Sequence, residues 1–220
     1  MRNFFRRSAA SVALLPLLSL AFPLGGCAQD AKITFRKVFE GSTPEFVEIK
    51  VGQNDGGTCD IRQLSEDPNA LPFDVGPAVR AKIFELAAAL HNFDGVHLDV
   101  RKRIANLGLK TFRYERDGEI HETSFNYTID PNASQLLQIF EGLSREEWDL
   151  ILIQRRMRYD PLGVNDALLQ FEADLTQRIL PEPERLLPTL DKLANDSRYL
   201  DISRERARAL AQRIRTSQDH

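Results

Sequence analysis

The chain has 220 residues, 28% charged and 42% hydrophobic, with 29 basic residues against 32 acidic ones and a formal net charge of −3. That balance argues against a nucleic-acid partner, whose binding proteins carry a basic stripe, and against electrostatic adhesion to anionic lipid head groups. The length allows one sizeable core or two small ones.

The first segment has the chemistry of an export signal. Arg2, Arg6 and Arg7 form a cationic head, Val12 to Phe22 is a nearly uninterrupted apolar run, and small residues follow. With Pro16 and Pro23 inside or beside it, the run is too short for the about 20 apolar residues that cross a bilayer. It ends in Leu24-Gly25-Gly26-Cys27. That stretch resembles the lipobox of bacterial lipoproteins: a branched apolar residue, two small residues, then the cysteine that is lipidated. The resemblance implies cleavage after residue 26, a diacylglycerol on Cys27 and an acylated N-terminus. An ordinary secretory signal that happens to end in Cys is the alternative. Buried methylenes contribute about 0.8 kcal/mol each and one chain anchors only marginally, so two or three chains would hold the protein on its bilayer. Ala28 stands where an Asp retains such proteins in the inner membrane, so the resemblance implies the outer membrane, facing the periplasm.

Loss of residues 1–26 removes three arginines and no acid, leaving 26 basic against 32 acidic residues. With Cys27 lipidated, Cys59 is the remaining thiol. No internal disulfide can form, and stability must come from packing. Cys59 alternates with Ile61 in a strand-like run, which fits a buried structural thiol; an intermolecular bridge is the other use for it.

Residues 27–31 are a short tether, and residues 32–129 read as an α+β domain. Ile33-Thr34-Phe35 and Phe46 to Val51 carry strand chemistry, the second with Val47, Ile49 and Val51 on one face. Gly41-Ser42-Thr43-Pro44 turns the chain between them, and Gln53 to Gly57 leads to a third run at Thr58 to Leu64. These three segments predict an antiparallel meander. Ser65 to Phe73 contains two prolines and reads as a loop. Pro77 then suits a first helical position, and Val79, Ile83, Leu86 and Leu90 recur at helical spacing. His91 to Leu107, with the basic cluster Arg101-Lys102-Arg103, gives no single pattern. Asp117-Gly118 marks a tight hairpin. Counting back from it pairs Glu115 with Ile120, Tyr114 with His121, Arg113 with Glu122 and Phe112 with Thr123. The expected domain is an antiparallel sheet of about five strands with a packed helix.

From residue 130 to 220 the apolar period changes to that of helices. Asp130-Pro131 opens one, with Leu136, Leu137, Phe140 and Leu143 on its apolar face. Ser144-Arg-Glu-Glu147 matches a capping box and predicts a new helix there, with Glu146 and Glu147 as first-turn charge and Trp148 in its core face. Asp160-Pro161 repeats the cap-plus-proline start before Val164, Leu168, Phe171 and Leu175. Glu182 to Ala194 and Ile202 to Ile214 give two more helices. Leu186-Leu187-Pro188, Asn195-Asp196, Arg206-Ala207 and Ala209-Leu210 in that pair resemble one helical repeat of the HEAT type, which implies a surface for protein contact. A repeat fold needs about three units for a continuous core, and Asp160 to Thr176 is the one other loose candidate. A generic helical hairpin explains the same residues.

The standard catalytic and cofactor signatures are absent, including the nucleophile elbow, the Walker loop, the dinucleotide glycines, His-Glu-x-x-His and Cys-x-x-Cys. The residual chemistry lies in His91, Asp94, His97 and Asp99, with His121 on the hairpin. Imidazole and carboxylate suit a divalent metal, and a catalytic site needs three ligands and an open position. The expectation is an envelope lipoprotein of binding or scaffolding type, touching the bilayer through its acylated N-terminus and an envelope protein as partner, with no cofactor. The alternative is a metal-dependent envelope hydrolase using His97, Asp99 and His121.

Overall fold

A computed structural model describes residues 30–100 and 103–218. The export segment with Cys27, and Arg101-Lys102 of the basic cluster, lie outside the described residues.

One antiparallel sheet contains β1 (Lys32–Val38), β2 (Phe46–Gly52), β3 (Gly57–Arg62), β4 (Leu71–Phe73), β5 (Leu109–Arg116) and β6 (Glu119–Phe125), in the order β4-β3-β2-β1-β5-β6. The first three are the expected meander. Its register sets Ile33 opposite Val51 and Phe35 opposite Ile49, and all four are buried, because alternation puts every second side chain on the covered face. The prolines did not keep 65–73 wholly out of the sheet. Its end forms β4, where Pro72 pairs with Thr58; an edge strand tolerates a residue without an N–H to donate, and buried Phe73 anchors it.

The Asp117-Gly118 hairpin has the expected register, including Arg113 opposite Glu122. Both turn residues have positive φ, at 52° and 85°. The Arg113–Glu122 ion pair spans 3.7 Å, but the guanidinium bonds more closely to Glu115, two residues along its own strand.

The unassigned stretch after the first helix, α1 (Pro77–Ala89), begins with a left-handed turn. His91, Asn92 and Phe93 have φ of 53°, 50° and 68°, a conformation that disfavours side chains with a Cβ. Packing compensates. The turn drives Phe93 into the core, stacked on Phe112 with ring centroids 5.4 Å apart. Phe112 also meets Phe35, Phe125 and Phe140 within 6.1 Å, which makes it the hub of an aromatic cluster.

Helix α2 (Pro131–Tyr159) is continuous over 29 residues. Asp130 caps it, accepting a hydrogen bond from the Ala133 N–H at 2.9 Å. No break occurs at Ser144, so the expected second start is corrected: a capping box works only where the chain enters a helix from non-helical backbone, and here it is preceded by unbroken helix. Helices α3 (Val164–Gln177), α4 (Leu187–Asn195) and α5 (Asp201–Gln218) follow. Asp160 holds the entry to α3, accepting from the Gly163 N–H at 3.1 Å. The α+β class with a helical C-terminal segment is what the chain adopts.

The change from strand to helix falls at Asp130, but the change of core falls inside α2. One cluster joins the sheet and α1 to Ala133, Leu136, Phe140 and Leu143 of α2. A second joins Ile153 near the other end of α2 to α3, α4 and α5, with Leu168, Phe171, Leu190 and Ile214 fully or almost fully buried. The α4–α5 hairpin closes this second core. Helix α2 is therefore the beam shared by both cores. No helix among the described residues is long and apolar enough to cross a membrane.

Candidate functional site

Between the two cores α2 carries a polar layer. Glu146 and Asp149 are 0% and 1% exposed, and Asp174 of α3 and Glu182 of the α3–α4 connection are 2% and 5% exposed. Glu146 accepts a hydrogen bond from the Glu182 N–H. Glu182 in turn accepts from the Gly76 N–H, just ahead of α1, at 2.7 Å. Arg185 reaches in from the same connection. Its Nη2 bonds Glu147 at 2.9 Å, its Nη1 lies 3.7 Å from Glu146, and its guanidinium sits 4.3 Å from the centre of the Phe73 ring. The layer thus ties β4 and the start of α1 to the helical half through α2.

Burial raises the Glu146 carboxyl to a pKa of about 8, opposed by the Glu182 N–H and the Arg185 charge. The Asp149 carboxyl is also pushed up, first by burial and then by the negative charge of Asp174. Burial raises Glu182 as well, against the hydrogen bond from Gly76. Glu146 and Glu147, expected as first-turn charge of a new helix, are instead the centre of this junction within unbroken α2.

Beside the layer, α2, the ends of β1 and β2 and the chain segment 178–181 enclose a groove of about 860 Å³. Its volume falls in the range of ligand sites. The α2 wall repeats at helical spacing through Gln135, Gln138, Ile139, Gly142 and Arg145 to Trp148. The sheet wall is Phe35, Lys37, Val47 and the turn at Thr43-Pro44, where the peptide bond is cis. Trp148, expected in the core, is half-buried on this wall. Ile179 is 42% exposed at the rim.

Gly142 sets the width of the junction. A Cβ there would lie 2.5 Å from the Ile179 carbonyl oxygen and 2.6 Å from Pro181 Cδ, so only glycine lets the 178–181 segment pack on α2. We expect Gly142→Ala to lose about 1–2 kcal/mol, because an overpacking cost of about 1–3 kcal/mol outweighs the better helix propensity of Ala. Chemical denaturation of the two proteins checks this.

Charges at the groove are specifically placed. Lys37 pairs with Glu141 at 2.8 Å. Arg145 contacts buried Asp174 through Nε at 2.7 Å. Arg178, in the left-handed region with φ of 56°, is exposed and makes no ion pair among the described residues.

The metal candidates are not assembled. Asp99 accepts from the Asn126 and Tyr127 N–H groups at 2.8 and 3.2 Å, which fastens the 96–100 segment to the end of β6. His97 is exposed. His121 stacks on Tyr114 at 6.4 Å. His91 belongs to the left-handed turn and Asp94 is exposed just after it. Among the described residues no group of three His, Cys, Asp or Glu side chains could hold a metal ion. Cys59 is buried, and burial, reinforced by the charge of Glu147, raises its thiol far above the usual range. It stays protonated and unreactive, as a structural thiol does.

The groove was missed in the sequence because its parts come from three distant segments. The one local signal was Gly142 within an otherwise strong helical pattern, a residue that marks close approach of another chain segment. No family model matches this chain, and no curated protein matches it.

Proposed function

We propose that this protein is a lipid-anchored component of the bacterial envelope, on the outer membrane facing the periplasm, and that it works by binding through the groove along α2. Its location is supported by Leu24-Gly25-Gly26-Cys27 behind a short apolar run. Binding is supported by the groove itself, an open cleft of about 860 Å³ whose walls mix apolar side chains with polar ones and four charged groups. With a tether of only residues 27–31, the start of β1 stands close to the bilayer. The groove lies toward the other end of that strand, at Phe35 and Lys37, about 10–17 Å along it at about 3.3 Å per residue. The α4–α5 hairpin, with Leu200 and Ile202 exposed at its turn, supplies the surface for an envelope protein partner.

Native mass spectrometry of the chain purified gently from a bacterial host tests the groove. Ser144 lines it and is partly exposed, so Ser144→Phe fills the cleft without entering a core. A bound small molecule should accompany the wild type and be lost from the variant. The same adduct on both proteins, or none on the wild type, would contradict a binding groove.

A further inference from the structure

We propose that the groove's ligand is a long-chain carboxylate, with its chain along α2 and its head at Arg145 and Arg178; this rests on the groove being the binding face. Shape comes first. The lining runs from Gln135 to Trp148, about 20 Å of helix at about 1.5 Å per residue, which suits an extended ligand rather than a compact one.

The walls distinguish an alkyl chain from a peptide. β1 lies between β2 and β5, and β2 between β1 and β3, so the backbone groups of both strands are committed to sheet neighbours. Those of α2 are committed within the helix. A peptide would bring its own N–H and C=O groups into the cleft and find no strand edge to pair with, at a cost of about 1–3 kcal/mol for each group left unsatisfied. A hydrocarbon chain has no such demand. Phe39, Pro44, Ile139, Trp148, Ile179 and Pro181 offer it accessible apolar surface.

The charges then set the head group. The lining holds three cations and one carboxylate, in a chain whose net charge is negative. Lys37 and Glu141 neutralise each other. Arg145 is braced from beneath by Asp174, which is 2% exposed, with Nε its closest nitrogen at 2.7 Å. A guanidinium carries five N–H donors in a fixed fork, so this brace orients the side chain and leaves donors for a carboxylate, the acceptor that fork fits best. Arg178 adds a charge that no acid among the described residues balances. Arg145 lies within one helical turn of Trp148 on α2, and Arg178 precedes Ile179, whose carbonyl packs against Gly142, which places the head in the Gly142–Trp148 half of the groove and the tail toward Gln135.

Trp148 is the chain's one tryptophan and reports occupancy directly. The full chain is titrated with dodecanoate, dodecanol and dodecylammonium, each below its micelle concentration, while Trp148 fluorescence is followed. Dodecanoate should give a saturable change, with affinity about tenfold or more above that of the other two, since a charge-assisted hydrogen bond is about twice as strong as a neutral one. Arg178→Gln should weaken dodecanoate severalfold and leave dodecanol unchanged. Equal binding of all three probes would overturn the carboxylate assignment and leave the groove standing as a binding site. No saturable response to any probe would overturn the long-chain ligand, and the adduct experiment with Ser144→Phe then decides separately whether the groove binds anything.

Discussion

Unfolding free energy should fall as pH rises from about 5 to about 8, and Glu146→Gln should remove most of that fall and make the protein more stable at pH 8. The sign follows from burial. The folded Glu146 carboxyl titrates near 8 against an ordinary value of 4.5, so between those pH values the native state holds a proton that the unfolded chain releases. Stability is unaffected by this group below the lower value and is lost progressively up to the higher one. The full effect is on the order of 3 kcal/mol or more. Asp149 and Glu182 are raised in the folded state too and act in the same direction. At the acid end Glu48 works the other way. Burial raises its pKa, but Lys50 and Arg36 together more than reverse that, and the stability they supply is lost as pH falls through its lowered value. The stability maximum should therefore lie near pH 5. Urea denaturation at about pH 5, 6.5 and 8 measures this. A flat or rising profile, or a Glu146→Gln variant weaker than wild type at pH 8, would mean that Arg185 keeps Glu146 ionised in the junction.

Phe112→Ala should cost about 3–5 kcal/mol, the range for deleting a buried aromatic ring. Phe112 is 0% exposed and touches four other phenylalanines. Removing it also deprives the left-handed turn at His91 to Phe93 of the contact that offsets its backbone cost. Phe171→Ala, in the second core and equally buried, should cost a similar amount. Because α2 belongs to both cores and the Gly76–Glu182–Glu146 chain of hydrogen bonds links them, each variant should shift one shared unfolding transition. Two transitions, with each variant moving only one, would show that the halves unfold independently.

What was legible in the sequence depended on how local its cause was. The Asp117-Gly118 register could be counted residue by residue because two positive-φ positions fix a hairpin. The Asp130 cap and the meander were equally local. The capping-box motif at Ser144 to Glu147 misled, because its residues serve distant partners: Glu147 bonds Arg185 and Glu146 bonds Glu182. The 91–107 stretch gave no pattern because tertiary packing of Phe93, and not propensity, selects its left-handed start. The groove was invisible for the same reason. Its walls are separated by about 100 residues of chain, as the Lys37–Glu141 pair across it shows.

The measurement that bears most directly on the proposed role is intact mass and detergent partitioning of the full chain, wild type beside Cys27→Ala. The proposal predicts a wild type cleaved after residue 26, heavier by two or three acyl chains with their glycerol, and found in the detergent phase, with all three properties lost in the variant. A wild type that is soluble and carries no lipid would contradict it.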